Sequence, residues 1–212
     1  MTTTADPSTS ALLVLHYQNG IVRPEGVFAF SGTAAQVEKH KTLEKTAGVL
    51  EAVRARGMMV VYVNIAYRPG FPELKKPTYP LIESIQERNA FLRGSWDADL
   101  PEEIEAQPSD IIVINFDSSA FSHTDLDCIL RANDIKQLFI AGVATNWVVE
   151  STTRYGAELG YDMHVLEDCC QAFSDELHAF AIEQTLPFYG TIMQSSDFLA
   201  ALGAAAEPSP VA

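Results

Sequence analysis

The chain has 212 residues, of which 47% are hydrophobic and 20% charged. That is the composition of one large globular domain and excludes a disordered chain. Lys and Arg number 14 against 28 Asp and Glu, for a net charge of −14. Such a surface repels phosphate backbones and anionic lipid, so neither nucleic acid nor a membrane surface is expected as a partner.

Residues 1–10 are rich in Thr, Ser and Pro and read as a disordered N-terminus without the basic start and apolar run of a secretory leader. Residues 203–212 read as a disordered tail, leaving 11–202 as the folded domain. Ala11–His16 reads as a buried strand. Thr33–Arg56 reads as one helix, with Leu43, Ala47 and Leu50 on an apolar face, and Gly57 as its stop. Met58–Asn64 is the second strand. Tyr67–Glu105 is long and irregular, with a helical piece at Leu81–Ala90, and a segment of that length tends to carry function.

Ile111–Ile114 reads as the third strand and Asp125–Ala132 as a helix in which Cys128 joins Leu126, Ile129 and Leu130 in the core. Gln137–Val143 is the fourth strand, Thr145–Leu159 a helix and Tyr161–Leu166 the fifth strand. Asp175–Gln184 is a helix capped by Ser174, Gly190–Gln194 the sixth strand and Ser195–Leu202 a last helix. Strands alternating with helices give an α/β fold, a three-layer α/β/α sandwich around a parallel sheet of about six strands. Ligands of such sheets bind at the carboxyl ends of the strands. The odd count of cysteines, Cys128 with the adjacent pair Cys169 and Cys170, is no disulfide framework and suits a reducing, cytoplasmic compartment.

Four segments carry a resemblance. LLVLHYQNG, SSAFSHTDLD, GVATNWVVEST and GYDMHVLEDCCQAFSDELH occur in the order and near the spacing of motifs in the isochorismatase-like (cysteine hydrolase) superfamily, over residues 11–198. The resemblance implies that fold, a homo-oligomer (dimer or tetramer), and a cis peptide at Val143–Ala144. It also implies a site built from an Asp after strand one, a Lys after strand three and a Cys at the helix after strand four. Those positions are His16, Asn115 and Val148 here. In the family a thiolate attacks an amide carbonyl, a carboxylate moves the proton and backbone N–H groups hold the oxyanion. Val148 offers no nucleophile, so a covalent thioester route is closed.

The candidates for chemistry are therefore His16, Asn115 and Asp117. The histidine is the residue that moves protons near neutral pH, and Asn115 orients. Gln18, Asn19, Phe121, His123, Val143, Ala144, Thr145, Trp147 and Val148 are candidates for binding a small molecule, and Arg68 for meeting a carboxylate. Phe28, Phe30, Tyr67 and Phe71 are expected in loops over the pocket. No metal is expected, because VNIAYRPGFPE lacks the Asp-x-His seen in metal-binding members of the family, and no cofactor fingerprint occurs. Three functions fit this pattern. The first is a small-molecule hydrolase without a cysteine nucleophile. The second is a catalytically dead ligand- or partner-binding protein. The third is a cofactor-independent lyase, isomerase or oxygenase-like enzyme.

Overall fold

A computed structural model describes residues 4–74 and 79–204. Among them six strands form one sheet, β1 Ser10–Leu15, β2 Met59–Ile65, β3 Ile111–Asn115, β4 Gln137–Val143, β5 Asp162–Gln171 and β6 Thr191–Met193, in the order β3-β2-β1-β4-β5-β6. All the pairings are parallel.

Alternation along the strands explains the layers. Ala11, Leu13 and Leu15 face one core, with Val61, Val63, Val113 and Ile140; Leu12 and Val14 face the other, with Tyr62, Phe139 and Ala141. Both faces are apolar, so both must be covered. Helices α2 (Thr33–His40), α3 (Thr42–Ala55) and α8 (Ser195–Ala204) contribute Val37, Val49, Leu50, Val53, Phe198 and Leu202 to one side. Helix α5 (Leu126–Ala132) and the segment from Thr145 through α6 (Glu150–Glu158) supply Leu126, Leu130, Val148 and Val149 to the other.

Several expectations need correction. Residues 4–10 are not a disordered lead-in: Ala5 is fully buried and Ser10 already pairs with Gln137 in β1. The last helix runs on through Gly203 and Ala204, inside the expected tail, whose remainder lies outside the described residues. Thr33–Arg56 is two helices, because Lys41 takes a left-handed φ of 54° between them. Cys128 is exposed. Leu126 and Leu130, a helical repeat of four apart, hold the inward face of α5, which turns position 128 to solvent. Strand β5 is longer than expected and bulged: Ile140 faces Val165 and Gly142 faces Cys170, so Leu166–Cys169 stand against the single Ala141.

Over the strand ends sits a third apolar cluster of Tyr67, Phe71, Ile82, Ile85, Ala90 and Phe91. It is carried by the loop after β2 and by α4 (Pro80–Glu87), and it roofs the point where the sheet order reverses between β1 and β4.

Candidate active site

At that reversal point a cavity of about 400 Å³ opens, within the size of small-molecule sites. Its floor is His16, Val143, Ala144, Trp147 and Val148; its walls are mostly aromatic, including Phe28, Phe30, Tyr67, Tyr79, Phe91 and Phe116. The Val143–Ala144 peptide is cis.

His16 follows the last residue of β1 and takes φ 56°, a left-handed turn that ends the strand. Its N–H still donates to Val63 O at 3.0 Å. The residue is 6% exposed, and its Nε2 lies 2.8 Å from Asn115 Oδ1. Asn115, the last residue of β3, donates from Nδ2 to Asp117 O at 2.8 Å and to Ser119 O at 3.2 Å. Both amide hydrogens are thus spent and only the oxygen faces the ring, so Nε2 must carry the proton and donate. Burial pushes the His16 pKa down to about 4, against a smaller upward pull from Asn115. At neutral pH the ring is uncharged, and Nδ1 is left with a lone pair as a proton acceptor.

Asp117 also lines the cavity, and one carboxylate oxygen lies 2.6 Å from His123 Nδ1. His123 itself lies outside the cavity lining, with a side chain 63% exposed. Trp147 lines the cavity and donates from Nε1 to Ser118 Oγ at 2.6 Å. Val148 is buried at the base of the same turn. Thr145 and His178 Nδ1 are 2.8 Å apart beneath it; burial lowers the pKa of His178, and the charge of His40 adds to this.

The remaining candidates serve elsewhere. Gln18 spends its whole amide on backbone, donating to Ile65 O and Ala98 O and accepting from Ile65 N, and so pins the end of β2 to the 96–98 turn. Asn19 Nδ2 donates to Trp96 O. Arg68 pairs with Glu73 at 2.5 Å and does not line the cavity. Phe121 packs in the core between Tyr155 and Tyr161. Phe71 packs on Tyr67 behind the wall. Sequence reasoning missed Phe116, Ser118, Phe173 and the face of α4 with Ile82 and Ile85. The three-residue spacing of those isoleucines was the available signal.

None of the three cysteines lines the cavity. Cys169 and Cys170 are buried in β5, and burial first, then neighbouring negative charge, pushes the Cys169 thiol up to about 12 and Cys170 well above its ordinary value. Among the described residues no three His, Cys, Asp or Glu side chains are grouped to hold a metal, and no helix is long and apolar enough to cross a membrane.

A doubly wound parallel sheet with its cavity at the β1/β4 reversal, floored by a cis peptide and the first turn of a helix, defines an α/β protein of the isochorismatase-like hydrolase fold. The chain belongs to the isochorismatase family: the model of the isochorismatase domain matches residues 10–197. It is similar to a ureidoacrylate amidohydrolase, RutB, of Caulobacter vibrioides, at 33% identity over 93% of each chain, and to that of Caulobacter segnis at 32% over 93% of this chain and 87% of the other. Among solved structures, an isochorismatase family protein from Burkholderia thailandensis matches at 30% identity and TM-score 0.76, covering 96% of this chain and all of its own. A cysteine hydrolase from Pseudomonas syringae shares the fold at TM-score 0.83 and 23% identity, covering 96% of each.

Proposed function

We propose that this chain is a small-molecule hydrolase that activates water directly and forms no acyl-enzyme. The supporting observation is the His16–Asn115 pair. Asn115 fixes the tautomer with the proton on Nε2, which leaves a neutral imidazole with Nδ1 as general base. Nδ1 takes a proton from water as the water oxygen bonds to the electrophilic carbon of an amide or ureide. The resulting imidazolium returns that proton to the departing nitrogen as the C–N bond breaks. The Trp147 N–H is spent on Ala144 O, so the N–H groups of Thr145 and Asn146, which open the helix and have no carbonyl a turn before them, supply the stabilisation of the oxyanion. With a pKa of about 4, His16 serves as base in the resting enzyme and as acid only after it has taken the proton. Asp117 contributes its backbone oxygen, which holds Asn115. Val148 stands where the family resemblance puts a thiol, and no other cysteine reaches the cavity, so the thioester route has no nucleophile.

The test is turnover of an amide and ureide panel in ¹⁸O-water. Hydrolysis places one labelled oxygen in the product; an unlabelled product marks a lyase or isomerase. His16→Ala lowers kcat by about 10²–10⁴, and the acid limb of the rate profile lies near pH 4. An unchanged rate in His16→Ala removes His16 from the chemistry. The predominantly apolar cavity with Val148 at its base favours a second reading, a ligand-binding protein, which predicts tight binding with no turnover on the whole panel. In either reading the protein works in the cytoplasm, where its free thiols stay reduced, and as a homo-oligomer, which sedimentation equilibrium checks.

A further inference from the structure

We propose that Asp117 makes the cavity select against carboxylates, so that its ligand is an aromatic compound with no negative charge. This deepens the ligand class of the site proposed above, but it concerns binding and is tested without turnover. Asp117 is the one acidic side chain among the described lining residues, and the same lining holds no Lys or Arg. The nearby arginines are engaged elsewhere: Arg68 is paired with Glu73, and Arg88 stands outside, 4.4 Å over the Phe30 ring and bonded to Ser84.

The π-faces of Tyr67, Tyr79, Phe116 and Trp147 in the lining accept a flat ring or a cation. Tyr67 and Tyr79 each carry a hydroxyl as well. Both have their pKa raised, by burial first and with the Asp117 charge adding to it. His123 engages one Asp117 oxygen from outside the lining. A ligand carboxylate would lose its water between aromatic rings and meet a like charge. Two like charges ~6 Å apart at an effective dielectric of ~20 repel by the equivalent of about 100-fold in Kd. The Asp117 side chain is 37% exposed, and water screens part of that, which leaves at least about tenfold. The chain therefore differs from the amidohydrolases it resembles, whose named substrate, ureidoacrylate, is an anion.

Isothermal titration at pH 8 with three ligands on one ring system tests this: 2-naphthamide, 2-naphthylmethylammonium and 2-naphthoate. The amide and the ammonium bind, and naphthoate binds at least about tenfold more weakly. Asp117→Asn narrows the gap between amide and carboxylate to less than about threefold. Asp117→Ala gives the same narrowing if the Asn variant folds poorly. Equal binding of naphthoate and naphthamide to the unmodified protein overturns the proposal. So does a gap that persists in both variants, and so does the absence of binding by all three at millimolar concentration.

Discussion

Burial of His16 ties the stability of the whole domain to pH, with a size and sign that follow from the site. The ordinary histidine pKa is 6.5, and in the folded protein it is lowered to about 4. Between those values the unfolded chain binds a proton that the folded chain does not, so acid favours unfolding. The contribution is complete above pH 6.5, is lost as pH falls through the window, and levels off below about pH 4. Each pKa unit is worth ~1.4 kcal/mol, so the full effect is about 3 kcal/mol, with about 2 kcal/mol already gone at pH 5. The variant for comparison is His16→Asn, because asparagine tolerates the φ of 56° at this position. Carboxylates such as Asp175, held low by Lys39 and His40, also destabilise the fold in acid. They are common to both proteins and cancel in the difference. The assay is urea unfolding of both proteins at half-unit intervals from pH 7.5 to 4.5. Unmodified protein loses about 2 kcal/mol more than the variant between pH 7 and pH 5. A difference that stays level within about 0.5 kcal/mol over that range refutes the reasoning, because a buried neutral imidazole cannot be silent there.

Other outcomes follow from the same geometry. Asn115→Asp places a carboxylate against Nε2 and raises the His16 pKa, read from imidazole ¹⁵N shifts; it also destabilises the fold by about 3 kcal/mol, since the amide that bonded two carbonyls is gone. Gly142→Ala puts a Cβ 2.7 Å from Leu15 Cβ and 3.1 Å from Leu15 O, wedging β4 from β1 at the cavity floor at a cost of about 1–3 kcal/mol and a Tm lower by several degrees. In the native protein a thiol reagent titrates Cys128 quickly, and Cys169 and Cys170 only after denaturation. Rapid native labelling of either of those two would put a reactive thiol back in contention for the chemistry.

Much of this fold was open to reading because apolar periodicity is local. Gln137–Val143 was bounded correctly as a strand, and the βα alternation led to a parallel sheet whose ligand end holds His16, Asn115 and Val143–Val148. What escaped depends on partners far along the chain. Gln18 looks like a ligand-binding amide until Ile65 and Ala98 are seen to consume it from 47 and 80 residues away. Arg68 is a different case: its partner Glu73 is only five residues on, and the turn that folds it back carries no periodic signal. The break at Lys41 carries no glycine or proline to announce it, and the extra length of β5 has no local signature, because its bulge is defined only against β4. The protonation of His16 was equally out of reach, since it follows from where the Asn115 amide hydrogens go.

The bulge at Leu166–Cys169 gives β5 two separate anchors on one neighbour. The first holds Asp162–Val165 in step with Gln137–Ile140, and the second holds Cys170 and Gln171 beside Gly142 and Val143. Between the anchors Leu166 pairs with Met193 of β6, and Leu166 and Cys169 are fully buried. Because the two pairings are separately registered, a shift in the second, next to the Phe173 rim, need not slip the first and turn its buried side chains outward. The same scaffold can therefore reshape its mouth for a new ligand while its foundation stays in register.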